Sequence, residues 1–178
     1  MKNTDFPQRA LSFFCLRRKI ILSLFTLSLL SACGSSPKER KNAEKKRFHD
    51  LPPTERGHEV VIFAFSLLDI GYRFGGKNPQ AGFDCSGMVT YIFEHAVGVK
   101  VSGNAADIAR QGEPIPLDGL RPGDLVFFNT SNRSFSHTGI YIGNGKFIHA
   151  PSTNGKVRVD SLDSGYFAPR YEAARRYF

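Results

Sequence analysis

His137-Thr138-Gly139-Ile140-Tyr141-Ile142-Gly143-Asn144-Gly145-Lys146-Phe147-Ile148-His149 contains two short β-type runs joined by Asn-Gly. Ile140, Tyr141 and Ile142 in the first run and Phe147 and Ile148 in the second are the β-branched and aromatic residues that suit a pleated surface. Asn144-Gly145 supplies two residues that tolerate positive φ, as a two-residue hairpin turn demands. The reading is an antiparallel hairpin. It puts His137 at the start of one strand and His149 at the end of the next, within about three residues of directly opposite, a spacing at which side chains touch.

Outward from the hairpin, Leu125-Val126-Phe127-Phe128 is another β run, Lys156–Asp160 alternates apolar and polar, and Arg170–Phe178 reads as a final strand. The character upstream is different. Residues 58–70 (HEVVIFAFSLLDI) carry apolar residues on several faces, which predicts a largely buried helix, and Gly71–Gly76 breaks it. Residues 77–83 read as a loop. Asp84-Cys85-Ser86-Gly87 opens a second helix through Met88–Val97, and Asn104–Arg110 reads as a third, short one. Helices first and an antiparallel sheet after predict an α+β domain over 58–178, the helices packed on the sheet.

The N-terminal segment reads as an address. Arg17-Arg18-Lys19 precedes an apolar run from Ile20 to Leu30, followed by Ser31-Ala32-Cys33-Gly34. Positive residues, a short apolar stretch and small residues at a cut site describe a secretory signal over 1–32. The run is shorter than the ~20 residues a transmembrane helix needs. Leu30-Ser31-Ala32-Cys33 resembles the lipobox of bacterial lipoproteins, which implies cleavage before Cys33 and a diacylglycerol on its thiol. Residues 33–57 are rich in Ser, Pro, Lys, Arg and Glu and read as a flexible charged tether.

The net charge of +8 invites a nucleic-acid partner, but its distribution argues against one. Residues 1–32 hold five Lys/Arg against one acid, residues 33–57 seven against four, and residues 58–178 twelve against eleven. The basicity lies in leader and tether, and the domain is nearly neutral.

Of three cysteines, Cys15 leaves with the leader and Cys33 takes the lipid, so Cys85 is the one thiol of the domain. A lone thiol in an oxidising compartment is either a buried structural residue or a nucleophile. Asp84 or a residue near it can cap a helix that begins at about Cys85. The free N–H groups and partial positive charge there favour the thiolate, lower the thiol's pKa and hold a developing oxyanion. One of His137 and His149 would act as base while the other orients it. The same three ligand types also admit a zinc site, although a solitary Cys at a helix start suits a nucleophile better.

These residues together resemble the NlpC-type family of cell-wall cysteine peptidases, which has a papain-like fold. Gly71-Tyr72-Arg73-Phe74-Gly75-Gly76 is similar to the family's Pro-Tyr-x-Trp/Tyr-Gly-Gly element, and Asp84-Cys85-Ser86-Gly87 matches its nucleophile motif. Leu120–Phe128, His137–Gly143 and Phe147–Ala150 resemble its three strand motifs, and the similarity runs from Val60 to Phe178. The resemblance implies that Cys85 attacks, His137 is the base and His149 orients it. It implies further that Tyr72 assists the oxyanion or substrate carbonyl, and that Asp84 and Ser86 contact the peptide stem. Gly71 replaces the usual Pro, Phe74 the usual Trp or Tyr, and Val101-Ser102-Gly103-Asn104 stands where many members have Leu-Pro-Arg-Thr. The missing Arg removes a fork-shaped carboxylate binder.

The function implied is hydrolysis of peptidoglycan amides, D-glutamyl–diaminopimelate within a stem or D-alanyl–diaminopimelate in a crosslink, without metal or organic cofactor. The expected setting is a monomer, lipid-anchored at Cys33, on the periplasmic side of an outer membrane. Two rivals share the fold: a non-catalytic wall-binding lipoprotein, and an acyltransferase or amidase using the same chemistry.

Overall fold

The computed structural model describes residues 36–40, 42–43, 51–152 and 155–178. The expected leader, Cys33 and residues 34–35, 41 and 44–50 of the tether lie outside these residues. The chain divides into two compact units, Met1–Arg40 and Lys41–Phe178. In the first, Ser36 and Glu39 form a reciprocal capping box on a helical turn, Glu39 Oε2 accepting from the Ser36 N–H at 2.8 Å and Ser36 Oγ from the Glu39 N–H at 3.2 Å.

In the second unit, α1 spans Pro53–Phe65, α2 Cys85–Val97 and α3 Ala105–Ala109. The first helix starts at Pro53 rather than His58, so residues 53–57 of the expected tether are helical. The cause is Pro53 itself, whose fixed φ suits the first helical position. The helix also ends sooner than expected, because Leu67 and Leu68 bond three residues back and Asp69 turns left-handed at φ 65°. Residues 77–83, expected as loop, contain a small hairpin of β1 (Lys77–Asn78) and β2 (Gly82–Phe83).

The main sheet is antiparallel, in the order β3-β8-β4-β5-β6-β7. Its strands are β3 Glu113–Ile115, β4 Leu125–Phe128, β5 His137–Gly143, β6 Lys146–His149, β7 Arg158–Ser161 and β8 Tyr171–Arg176. The hairpin of β5 and β6 turns at Asn144 (φ 52°) and Gly145 (φ 63°), both left-handed as a type I′ turn requires. β4 lies inside the sheet and is covered on both faces. Leu125 and Phe127 pack with Val60, Met88, Ile92 and Phe93 of the helices, while Val126 and Phe128 pack with Phe147 and Phe167 on the other side. That double burial is why Leu125–Phe128 shows no polar alternation. The layers are those of the expected α+β, papain-like class.

Pro122-Gly123-Asp124 serves this architecture. Asp124 is 2% exposed and receives Arg176 Nε at 2.9 Å and a terminal guanidinium nitrogen at 2.6 Å, together with the Arg121 N–H at 2.8 Å. The ion pair fastens the entrance of β4 to β8.

Candidate active site

Asp84 caps α2 with extended backbone, and both its carboxylate oxygens accept hydrogen bonds. Oδ1 accepts from the Gly87 N–H at 2.6 Å and from the Ser86 hydroxyl at 3.0 Å, and Oδ2 accepts from the Gly75 N–H at 2.9 Å. Gly87 is obligatory: a Cβ there would lie 2.0 Å from the Gly76 carbonyl oxygen. The Gly75-Gly76 turn therefore closes directly on the helix start and fixes Cys85 at the first helical position. Cys85 is half-buried. The N–H groups of Thr138, the residue after His137, of Ser86 and of Cys85 itself are close enough to its sulfur to favour the thiolate.

Those N–H groups lower the thiol's pKa, as the helix start had suggested, but they do not prevail. Burial pushes the Cys85 thiol up to about 11, and the Asp84 carboxylate adds to the rise. Burial thus works against the pre-ionised thiolate that the helix start suggests, because desolvation of the charged sulfur opposes the helix terminus.

His137 and His149 meet as the hairpin required. His137 Nε2 lies 2.7 Å from His149 Nδ1, with the rings nearly perpendicular at 89°. Both are buried, at 6% and 0% exposure. Ile140 pairs with Ile148, which puts Gly139 opposite His149 and His137 one diagonal away on the same face. A Cβ at Gly139 would meet Phe147 at 2.6 Å and the His149 Cβ at 3.1 Å, so only glycine leaves the His149 ring its place.

The structure extends the line beyond what sequence reasoning found. His149 Nε2 lies 2.8 Å from Asp160 Oδ2, and Asp160 receives Arg158 Nε at 3.0 Å. Burial works to raise the Asp160 carboxyl, yet the hydrogen bonds from Arg158 and His149 hold it below the usual range. Burial lowers His137 to about 3, helped by His149, and lowers His149 to about 4. Both imidazoles are therefore neutral near pH 7. An ionised carboxylate only accepts, so the His149 proton sits on Nε2. His149 Nδ1 then accepts from His137 Nε2–H, which leaves the lone pair of His137 on Nδ1. Both nitrogens of His149 are committed, so it offers no lone pair to a metal. Phe167 closes over the pair, 4.8 Å from the His149 ring and stacked on His137 at 5.7 Å.

Tyr72, Asp84, Cys85 and Ser86 line one cavity of about 430 Å³ together with Phe74, Asn104 and Arg133. Burial, with Cys85 and Asp84 nearby, raises the Tyr72 hydroxyl's pKa, so it stays a donor. Phe74 is 88% exposed at this rim. Arg133 brings to the cavity a guanidinium that the Ser102-Gly103-Asn104 segment lacks. It stands on the β4–β5 loop, which is held by two left-handed residues, Asn132 and Phe135, and by the Phe135 N–H donated to Glu172 at 2.5 Å. No local motif announces Arg133, because a loop tip carries no periodicity. Asp160 could have been suspected from the alternation of residues 156–160, which places it on one face with Arg158.

The NlpC/P60 family model matches residues 70–176. The chain is 42% identical over 108 residues to murein DD-endopeptidase MepH of Escherichia coli, covering 59% of this chain and 40% of that protein. It is 39% identical over 119 residues to gamma-DL-glutamyl hydrolase of Bacillus subtilis, covering 66% and 29%. The matched segment is thus well under half of either relative. Among solved structures, an NlpC/P60 family protein from Bacillus cereus superimposes with a TM-score of 0.64 at 28% identity, over 68% of this chain and 40% of that one. The NlpC/p60 domain of peptidoglycan hydrolase SagA gives 0.60 at 30% identity, over 68% and 98%.

Proposed function

The chain belongs to the NlpC/P60 family, and from that premise we propose that it is a cysteine peptidase that hydrolyses amide bonds in the stem peptides or crosslinks of peptidoglycan. The observation that carries this reading is the hydrogen-bonded line from Asp160 through His149 to His137, whose chain neighbour Thr138 brings its N–H close enough to the Cys85 sulfur to favour the thiolate. A wall-binding protein has no use for a base of fixed tautomer beside a thiol.

In this reading the Cys85 sulfur attacks the amide carbonyl carbon as His137 Nδ1 takes the thiol proton. The oxyanion rests on N–H groups at the start of α2, with the Tyr72 hydroxyl beside it. His137 returns the proton to the leaving amine, the C–N bond breaks, and a thioester to Cys85 remains. Water then attacks the thioester with His137 again as base, releasing the acid and restoring the thiol. His149 keeps His137 in orientation throughout. Each burden falls on a neutral ground state, so charge appears only as the reaction proceeds.

The proposed setting is the periplasmic side of an outer membrane, with the protein monomeric and anchored through lipid on Cys33. Leu30-Ser31-Ala32-Cys33 and the charged residues after it support the lipid anchor and tether. The test is mass spectrometry of muropeptides released from purified peptidoglycan by the protein and by Cys85→Ala. New amine and carboxyl ends from the wild type alone are the expected result. Equal release by both, or release by neither, rejects the reading.

A further inference from the structure

Two cavities flank Cys85 and His137, and they divide the pair. The cavity of about 430 Å³ is lined by Cys85 and not by His137. A second, of about 550 Å³, is lined by His137 and not by Cys85, with Ser152, Arg158, Tyr166 and Phe167 around it. Acyl transfer assigns them. The acyl portion becomes bonded to the Cys85 sulfur and belongs to the first. The amine takes its proton from His137 and departs, so the residue that carries it belongs to the second.

Arg158 is the one permanently charged side chain among the described residues lining the second cavity. Nε and one terminal nitrogen both go to Asp160 Oδ2, at 3.0 and 2.9 Å. Its other terminal nitrogen has no partner among the described residues, and the side chain is 53% exposed. The fork is thus steadied at one edge by Asp160 and open at the other, as recognition of a second carboxylate needs. The far wall is steadied as well, since Tyr166 has the Arg170 guanidinium 3.8 Å over its ring.

We infer that this cavity is the leaving-group site, and that Arg158 selects a leaving amine whose own carbon bears a free carboxylate. The inference rests on the peptidase reading above and narrows it. A D-alanyl crosslink ends on a diaminopimelate amine beside a free carboxylate. A D-glutamyl bond within a stem ends on the amine whose neighbouring carboxyl is itself tied into the next amide. Arg158 therefore favours the crosslink.

The test uses the full chain and two crosslinked muropeptide dimers, identical except that the carboxylate beside the scissile amine is free in one and amidated in the other. The readout is the ratio of the two kcat/KM values within each protein. A ratio cancels any general damage that a change at Arg158 transmits through Asp160. The wild type is expected to prefer the free carboxylate by about tenfold, the size of one half-exposed charge-assisted contact. Arg158→Gln is expected to bring the ratio close to one, and Arg158→Lys to keep part of it. A wild-type ratio near one overturns the inference whatever the variants do, and so does an unchanged ratio in Arg158→Gln. Either result leaves the peptidase reading standing. Cleavage of neither dimer, and of no stem amide, overturns both.

Discussion

Asp160 Oδ2 lies 2.8 Å from His149 Nε2 although the two residues are not paired across the sheet. The residue opposite His149 is Arg158, and the one opposite Asp160 is Phe147. His149 reaches His137 by a diagonal of the same length, since Gly139 stands opposite it. One two-residue diagonal is thus repeated from β5 to β6 to β7. Diagonal neighbours lie about 7–8 Å apart at the backbone, within reach of imidazole and carboxylate side chains. The acceptor at the far end fixes every proton between it and Cys85.

Asp160→Asn tests that ordering. An amide offers His149 Nε2 an N–H as readily as an oxygen. In that orientation the tautomers of both histidines reverse, and His137 Nδ1 carries the proton it should accept. A fall in kcat of roughly ten- to a hundredfold is expected, less than for loss of the base itself, with KM little changed. The measurement is kcat and KM on peptidoglycan fragments, with a thermal melt to verify folding. A folded variant with wild-type kcat removes Asp160 from the line.

Asp124→Ala separates a structural motif residue from the site. It strands Arg176, which is 18% exposed, without its carboxylate. Breaking a buried pair from one side costs about 3 kcal/mol or more. Urea denaturation should show that loss, while activity per folded molecule is retained.

How much of this was legible in the sequence depends on the range of the contacts. The hairpin that joins His137 to His149 was legible because the short runs of β-branched and aromatic residues and Asn144-Gly145 are local signals. Cys85 at a helix start was legible from Asp84 and Gly87, three residues apart. Asp160 was not found as a partner, since alternation gives its face but the segment between β6 and β7 leaves the register open. β1 and β2 are two residues each, too short for any period, and β3 contains Pro114 at the sheet edge. The burial that raises the Cys85 thiol was not legible, because the helix terminus is a local feature whereas burial is set by the tertiary packing around the thiol.

Acid is expected to destabilise the fold through the two histidines. Their folded pKa values, about 3 and about 4, lie below the ~6.5 of the unfolded chain. The unfolded chain therefore binds protons that the folded protein refuses. Their contribution is complete above pH ~6.5 and is lost as pH falls toward 4 and then 3. Between pH 7.5 and 5 the loss should be about 2 kcal/mol per histidine, read by urea denaturation at the two pH values. Equal stability at both would mean that the pair charges freely inside the fold.

The protonation of Cys85 gives the last prediction. With burial pushing the thiol up to about 11 and His137 down to about 3, the expected resting state is a neutral thiol and a neutral imidazole over the whole working range. Iodoacetamide reacts with thiolate, so its rate reports how much is present. Alkylation of Cys85, followed as loss of its unmodified peptide by mass spectrometry, should be slower at pH 7 than for free cysteine. The rate should climb with pH without levelling before about pH 10. A rate already constant from pH 5 upward would mean that thiolate and imidazolium coexist at rest, with the N–H groups of Cys85, Ser86 and Thr138 outweighing burial. The two outcomes divide the chemistry differently. In the first, His137 must take the proton during attack, so its lone pair on Nδ1 is indispensable and changes at Asp160 are felt in kcat. In the second, the proton has moved before substrate arrives, and Asp160 would act by stabilising a standing imidazolium. Measuring the alkylation profile of Asp160→Asn beside the wild type distinguishes them: the profile stays the same if the resting thiol is neutral, and shifts to higher pH if the ion pair is already formed.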